Sequence, residues 1–297
     1  MSHIELGVMS SPRADGGNPF ATVARYGVET TQFANWDPSL WREDYARRIR
    51  SFAREAGVKL AAVWAGYSGP AVWNLTEGPK TLGLVPGRYR RKRVSELKRA
   101  GEFAAWCGAP AVITHCGFIP EDPNDPVYAA TVRAIRQVAG HLLERGVGFW
   151  FETGQETPVT LLRTIQDVGL PNLGINLDTA NLILYGKGNP LDALDVFGPY
   201  VRNLHAKDGV YPTDGRSLGR EVPIGQGKVN FPRIIARLVE LGFSGQVVIE
   251  REITGPQQAR DIRKALTYLR RLVRTAQRRH GAPQTSSAAR RRTRRGD

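Results

Sequence analysis

Residues 147–178, VGFWFETGQETPVTLLRTIQDVGLPNLGINLD, form the stretch that decides the fold. Its two ends, VGFWFE and NLGINLD, are short apolar runs typical of buried strands, and the segment 157–168 between them has the apolar spacing of a helix. The Thr157-Pro158 pair places a proline in the first turn of that helix, where proline is well tolerated. A strand, a helix and a second strand in this order predict two parallel strands joined by a helical crossover.

The same alternation continues along most of the chain. Strands are predicted at 4–9, 27–33, 58–65, 110–116, 147–152, 172–178, 201–206 and 246–251. Helices are predicted at 19–25, 39–56, 90–107, 126–145, 157–168, 190–198, 231–241 and 256–278. Eight such units in roughly 275 residues match the usual size of a (β/α)8 barrel. We therefore predict an α/β protein, a single (β/α)8 TIM barrel that occupies residues 1–277.

An open, doubly wound sheet is the competing architecture. Such a sheet usually carries a glycine-rich phosphate loop after its first strand, and residues 10–20, SSPRADGGNPF, contain neither a dinucleotide fingerprint nor a P-loop. Two connections, 66–89 and 207–230, are unusually long, and both leave the C-terminal ends of predicted strands. Barrel enzymes keep their active sites at that end, so we expect both connections to be lids or binding loops.

The composition is that of an ordinary globular protein, with 41% hydrophobic and 24% charged residues in a chain of 297. A fibrous or wholly disordered chain is excluded, and two cysteines, Cys107 and Cys116, are too few for a disulfide framework. No apolar run approaches the ~18 residues of a membrane span, and we expect no secretory leader. These features predict a cytoplasmic protein without a membrane partner.

The formal net charge of +14 raises the question of nucleic-acid binding. Seven arginines and one aspartate give residues 278–297 a net charge of +6, which leaves +8 on residues 1–277. The segment 278–297 is rich in arginine, serine and alanine and lacks large apolar residues, so we predict a disordered tail. A protein that binds nucleic acid through this tail is the remote alternative to an enzyme, and the sequence disfavours it as the main role.

The fifth to eighth predicted strands end in charged or ionisable side chains: Glu152, Asp178, His205 and Glu250. Each follows an apolar run, where a charge buried alone would be costly. Because the C-terminal ends of barrel strands meet at one mouth, we expect the four side chains to converge. Three carboxylates and one imidazole suit Mn²⁺, Mg²⁺, Co²⁺ or Zn²⁺.

A rim of salt bridges without a metal is the alternative interpretation of these acids. Lys207, Arg220 and Arg251 are the cations that would pair with them. We favour the metal site, because four successive strands end in side chains that can bind a metal. Isolated ion pairs would not require such residues on all four strands.

Several motifs strengthen this interpretation: FETGQE (151–156), NLDTAN (176–181), HAKDG (205–209), VPIGQGKVNF (222–231) and VIERE (248–252). Together they resemble the sugar phosphate isomerase/epimerase family, which consists of xylose isomerase-like TIM barrels related to the ketose 3-epimerases. The resemblance implies a small carbohydrate substrate and one divalent metal ion, for which we predict Mn²⁺, with Mg²⁺, Co²⁺ or Zn²⁺ as alternatives. Its ligand positions carry over as Glu152, Asp178, His205 and Glu250. Barrels of this kind are commonly homodimers or homotetramers.

In the epimerases of this family, the glutamates that end strands five and eight are also the acid–base pair. The resemblance therefore implies this role for Glu152 and Glu250. A divalent ion chelated by a carbonyl and its neighbouring hydroxyl acidifies the adjacent C–H. One carboxylate would remove that proton to give a cis-enediolate, and the other would return a proton. We thus predict a metal-dependent isomerase or epimerase of a sugar or sugar derivative.

One position departs from the family pattern. The ketose epimerases carry a histidine three residues after the strand-six aspartate, where this chain has Asn181. An amide can still hydrogen-bond a hydroxyl, but it cannot change charge. The family's substrate-binding arginine after strand seven matches Arg220 or the nearby Arg216. The other candidate substrate contacts are polar or aromatic groups near strand ends: Lys207, His115, Trp36, Trp64 and Glu156.

Two further functions are known for this superfamily. A lyase or deglycosidase acting on 3-keto-glycosides would use the same proton abstraction and then expel the C1 or C2 substituent, so the mass of the product distinguishes it from an isomerase. DNA-repair endonucleases hold three zinc ions and need many histidines. This chain has five, of which only His115 and His205 stand at predicted strand ends, so a trinuclear site is excluded.

Overall fold

The structure is a computed structural model that describes residues 3–281. Its strands are β1 (Ile4–Val8), β2 (Thr30–Asn35), β3 (Lys59–Ala65), β4 (Ala111–Thr114), β5 (Gly148–Glu152), β6 (Leu173–Asp178), β7 (Val201–Ala206), β8 (Asp208–Val210), β9 (Arg220–Val222) and β10 (Gly245–Ile249). β8 and β9 pair antiparallel outside the barrel. The other eight strands are parallel and close into a barrel, with β10 paired to both β7 and β1. The predicted (β/α)8 TIM barrel is confirmed.

The helices are α1 (Ala21–Ala24), α2 (Glu43–Ala56), α3 (Gly78–Thr81), α4 (Gly87–Cys107), α5 (Pro126–Leu143), α6 (Pro158–Val168), α7 (Thr179–Leu184), α8 (Pro190–Phe197), α9 (Phe231–Glu240) and α10 (Pro256–Gly281). As predicted, Pro158 stands at the start of α6, and Thr157 caps that helix by accepting from the backbone N–H of Thr160. The predicted start of the second helix at 39 is wrong. Asp37 caps a separate 3₁₀ turn, Pro38–Leu40, and α2 begins only at Glu43.

Strand residues alternate between two environments. Phe149 and Phe151 of β5 point outward and pack in the large core between the sheet and the helices. Trp150 points inward and packs in the interior of the barrel, where a Cβ on Gly174 would lie 2.6 Å from its ring. The same alternation turns Glu152 inward at the end of the strand, so the sequence pattern of β5 places a carboxylate at the barrel mouth.

The long connection after β3 is held by a buried arginine of α4. The Arg93 guanidinium donates to the backbone carbonyl oxygens of Pro70, Thr81 and Gly83 at 2.9, 2.6 and 2.7 Å. It also lies 4.1 Å above the ring of Tyr67. This connection, which contains the unpredicted helix α3, is therefore an ordered part of the barrel mouth.

The connection after β7 contains the β8–β9 hairpin and a second buried anchor. The Asp208 carboxylate accepts from the backbone N–H groups of Gly225, Gly227 and Val229 at 2.8, 3.0 and 3.1 Å. A Cβ on Gly227 would lie 2.1 Å from that carboxylate, so the glycine in the VPIGQGKVNF motif permits the close approach. The motif therefore fixes the loop that borders the site.

The last helix reaches further than predicted. α10 runs to Gly281, so residues 278–281 of the predicted tail are helical, and residues 282–297 lie outside the described part of the chain. Within that described part, no helix has the length and hydropathy needed to cross a membrane.

Candidate metal centre and active site

The four ionisable side chains at the strand ends meet at the mouth of the barrel. They are Glu152, Asp178, His205 and Glu250, and one ligand atom from each lies within 4.8 Å of all the others. His205 Nδ1 lies 2.8 Å from Glu152 Oε1 and 3.3 Å from Glu250 Oε2. The same nitrogen lies 3.8 Å from Asp178 Oδ2. The strand register explains this, since Asp178 pairs with His205 across β6 and β7.

A chain of hydrogen bonds orients the imidazole and one carboxylate. His205 Nε2 lies 2.6 Å from the side-chain oxygen of Gln32, and the Gln32 amide N–H donates to Asn176 at 3.0 Å. The Asn176 amide and the indole N–H of Trp64 both donate to Glu152 Oε2, at 2.7 and 3.0 Å. These bonds leave His205 Nδ1 and Glu152 Oε1 to face the centre of the cluster.

The electrostatics of the cluster favour positive charge at its centre. Burial opposes charge on the imidazole, yet Glu152 and Glu250 raise the pKa of His205 well above its ordinary value. Burial raises the pKa of Asp178 to about 6, although the positive charge of Lys207 acts to lower it. Burial acts in the same direction on Glu250, but Lys207 and His205 outweigh it and hold the pKa of this carboxyl well below its ordinary value.

Lys207 is the buried cation of this site. Its Nζ lies 2.6 Å from Glu252 and 3.2 Å from Glu250. It lies 3.5 Å from Asp178 and donates to the side-chain oxygen of Asn181 at 3.2 Å. The Lys207 ammonium therefore links two predicted metal ligands to a further acid at the rim.

The other two cations of the salt-bridge alternative do not pair with the cluster. Arg251 forms ion pairs with Glu221 at 2.9 Å and Asp261 at 3.0 Å instead. Arg220 is exposed on β9. Lys207 alone among the three contacts the acids at the strand ends, which leaves an excess of negative charge at the centre.

The donor set fits a divalent cation. Asp178 Oδ1 accepts from the backbone N–H of Asn181 at 2.8 Å, whereas the buried Asp178 Oδ2 makes no hydrogen bond within residues 3–281. Carboxylate oxygens with one imidazole nitrogen suit Mn²⁺ or Mg²⁺. A divalent ion held there would, together with the ammonium of Lys207, carry the charge that neutralises the three carboxylates.

A cavity of about 440 Å³ opens over the cluster, within the range of clefts that bury small-molecule ligands. Four of the predicted substrate contacts line it: Trp36, Trp64, His115 and Asn181. Burial lowers the pKa of His115 to about 3, so this side chain is a neutral part of the wall. Glu252, the last residue of the VIERE motif, lines the cavity as well.

Three other predicted substrate contacts are not part of the cavity lining. Lys207 is buried beside the cavity and donates hydrogen bonds to Glu250 and Asn181, which line it. Glu156 is buried, and burial raises the pKa of its carboxyl to about 8. Arg220 is exposed on β9, so this arginine does not reach the cavity.

Sequence reasoning missed Gln32 and Asn176, the two amides that orient the cluster. Both are fully buried polar residues within strands. A signal was present, because an uncharged amide within a buried strand needs a hydrogen-bond partner. The partner of Gln32 lies 173 positions away in the chain, and the partner of Asn176 is set by the register between β5 and β6.

A family model described as the xylose isomerase-like TIM barrel matches residues 20–272. The chain belongs to this family. A solved structure, the xylose isomerase domain protein from Planctomyces limnophilus, is 35% identical, with 93% of this chain and 99% of that chain covered and a TM-score of 0.87.

Two curated relatives are more distant. A putative hydroxypyruvate isomerase from Homo sapiens is 26% identical over 233 residues, which is 73% of this chain and 77% of that protein. An uncharacterised protein from Methanocaldococcus jannaschii is 26% identical over 179 residues, which is 56% of this chain and only 58% of that protein.

Two further solved structures share the fold at low identity. The 3-keto-D-glucoside 4-epimerase from E. coli is 15% identical, with 90% and 99% of the two chains covered and a TM-score of 0.66. A xylose isomerase-like TIM barrel protein from Mycobacterium smegmatis in complex with magnesium is 18% identical, with 92% and 97% covered and a TM-score of 0.67.

Proposed function

We propose that this protein is a divalent-metal-dependent isomerase or epimerase of a sugar or sugar derivative. The observation that carries the proposal is the buried cluster of Glu152, Asp178, His205 and Glu250, whose ligand atoms lie within 4.8 Å of one another beneath a cavity. The family and the names of its relatives, a putative hydroxypyruvate isomerase and a 3-keto-D-glucoside 4-epimerase, support the reaction class.

The four side chains of the cluster would hold the ion, which would polarise a substrate carbonyl and acidify the adjacent C–H. Glu152 and Glu250 both line the cavity, so both carboxylates have access to a bound sugar. One of them accepts the proton from the carbon beside the carbonyl, and the other supplies a proton to the resulting enediolate. Return to the same carbon from the opposite side inverts it, and return to the neighbouring carbon converts an aldose into a ketose.

The surrounding residues prepare the two carboxylates for these roles. Trp64 and Asn176 donate to Glu152 and fix its orientation. Lys207 contacts Glu250 at 3.2 Å and favours its ionised form, which is the form able to accept a proton. The direct bond from Lys207 to Asn181 places the amide beside Glu250, where it can hydrogen-bond a sugar hydroxyl.

A lyase that acts on 3-keto-glycosides is the second candidate function. It shares the first proton abstraction, after which the enediolate expels a substituent rather than accepting a proton. The exposed tryptophans Trp36 and Trp73 at the cavity mouth favour it, because a sugar alone does not need so large an apolar surface. An unchanged product mass identifies an isomerase or epimerase, and a released substituent identifies a lyase.

Proton exchange with solvent tests the proposal. The manganese-loaded protein would be incubated in D₂O with D-fructose, D-tagatose, hydroxypyruvate and methyl 3-keto-β-D-glucoside, and deuterium followed by NMR. We expect label at the carbon beside the carbonyl of at least one compound, and a loss of about 10²-fold or more in Glu152→Gln and Glu250→Gln. Glu240→Gln, an exposed acid on α9, should keep the wild-type rate. Product formed without any label would contradict the proposal.

A further inference from the structure

Three tryptophans form a continuous aromatic wall from the cluster to the solvent. Trp64 is 6% exposed and donates its indole N–H to Glu152. The Trp36 ring lies 4.8 Å from the Trp64 ring, and the Trp73 ring lies 6.0 Å from Trp36. Trp36 and Trp73 are 43% and 39% exposed, so the two outer rings face solvent, whereas Trp64 beside the cluster is buried. We call Trp64, Trp36 and Trp73 the tryptophan wall.

Trp36 and Trp73, the two outer residues of this wall, are held in exposed positions by the residues around them. Trp36 packs directly on the backbone of Gly66, where a Cβ would lie 2.3 Å from its ring. Trp73 belongs to the connection that the buried Arg93 anchors, and its neighbour Val72 is 38% exposed as well. Exposed apolar side chains grouped at a cavity mouth usually mark a binding site. Because this surface is preformed, it needs little reorganisation to receive a flat apolar group.

The charge of the cavity restricts what the rest of the ligand can carry. Among the described residues that line it there is no lysine or arginine, whereas three carboxylates, Glu152, Glu250 and Glu252, do line it. The nearby ammonium of Lys207 already contacts Glu250 and Glu252. Away from the proposed metal centre, a phosphate group would meet acidic side chains and no lysine or arginine of the lining to pair with, which disfavours phosphorylated sugars.

We infer that the substrate is an uncharged sugar derivative that carries a planar apolar substituent. The sugar lies over Trp64 and the carboxylates, and the substituent packs against Trp36 and Trp73. The position of the sugar rests on the proposed function, whereas the position of the substituent rests on the tryptophan wall alone. Stacking and burial against two indole rings strengthen binding by roughly tenfold relative to a ligand that lacks the flat group.

Calorimetric titration of the full-length, manganese-loaded protein tests this inference. The ligands are phenyl and methyl β-glycosides of glucose, galactose and mannose, together with glucose and glucose 6-phosphate. For at least one sugar, the phenyl glycoside should bind about tenfold more tightly than the methyl glycoside. Trp73→Ala should reduce this ratio to about twofold, and Trp106→Ala, which removes an exposed tryptophan of α4, should leave it unchanged. Glucose 6-phosphate should bind more weakly than glucose.

The inference would be overturned by equal affinities for phenyl and methyl glycosides, by a ratio that Trp73→Ala does not alter, or by tighter binding of glucose 6-phosphate. Absence of measurable binding by every phenyl glycoside counts against it in the same way. The ratio is measured on the metal-free protein in parallel. A ratio that persists there, combined with absent deuterium exchange, would reject the proposed metal-dependent reaction while keeping the binding inference.

Discussion

His205 and Gln32 lie 173 positions apart in the chain, yet the imidazole Nε2–H donates to the Gln32 side-chain oxygen over 2.6 Å. Because the side-chain oxygen of Gln32 can only accept, Nε2 carries a proton, and Nδ1 is the nitrogen that faces the three carboxylates. Partners of this kind orient ligating histidines and increase their basicity. In the proposed metal centre, Gln32 would therefore orient His205 without belonging to the ligand set.

Replacing Gln32 tests this role. Gln32→Met preserves length and burial but removes the acceptor, so we expect the affinity for Mn²⁺ to fall by roughly 10- to 100-fold. Isothermal titration with MnCl₂ measures it. Gln246→Met provides the matched control, because Gln246 is a β10 residue that donates to Glu5 and has no contact with the cluster. Equal affinities in the two variants would show that Gln32 does not orient the imidazole.

Glu156 makes stability depend on pH in a predictable direction. Burial raises the pKa of its carboxyl from 4.5 to about 8, so the folded protein holds this proton while the unfolded chain releases it. Its contribution to stability is therefore complete below pH 4.5 and is lost as the pH rises towards 8. Glu156→Gln removes the dependence.

We expect Glu156→Gln to be more stable than the wild type by on the order of 3 kcal/mol at pH 9 and to match it near pH 4.5. Urea denaturation at both pH values measures the difference. Glu144→Gln makes the same change at an exposed position and should alter stability little at either pH. The stability difference between Glu156→Gln and the wild type should be larger at pH 9 than at pH 4.5. If it is the same at both pH values, the pKa of Glu156 is not raised by burial.

Arg93 should stabilise the connection that carries Trp73. Arg93→Met fills similar volume but leaves the carbonyl oxygens of Pro70, Thr81 and Gly83 without their buried donor. The expected loss is about 2–4 kcal/mol in the free energy of unfolding, measured by urea denaturation. Arg91→Met, an exposed change two residues away on the same helix, should cost far less. Similar losses in both variants would mean that the buried hydrogen bonds contribute nothing specific.

The elements that sequence analysis predicted well are those with a strong local signal. All eight barrel strands lie where apolar runs predicted them, and the alternation of β5 turns Glu152 towards the mouth. The convergence of four strand ends follows from the barrel alone. The short helix α7 was missed because its only start signal, the cap formed by Asp178, coincides with the end of a strand.

Contacts between distant segments could not be predicted in the same way. The bond from His205 to Gln32 depends on how β7 and β2 face each other across the interior, and the bond from Asn176 to Glu152 depends on the register between β6 and β5. In the sequence, Arg93 has the features of an ordinary helix residue. Its burial arises only because the connection between β3 and α4 folds over its guanidinium. Such polar contacts are set by tertiary geometry, for which no local pattern exists.

Binding of Mn²⁺ tests the central claim most directly. Titration of the metal-free protein with MnCl₂, followed by the electron paramagnetic resonance signal of free Mn²⁺, should show one tight site per chain. Asp178→Asn should weaken that site strongly, because it removes the charge of the carboxylate whose Oδ2 faces the cluster. If Mn²⁺ stayed free at saturating protein, or bound equally well to Asp178→Asn, the four side chains would not form a metal centre.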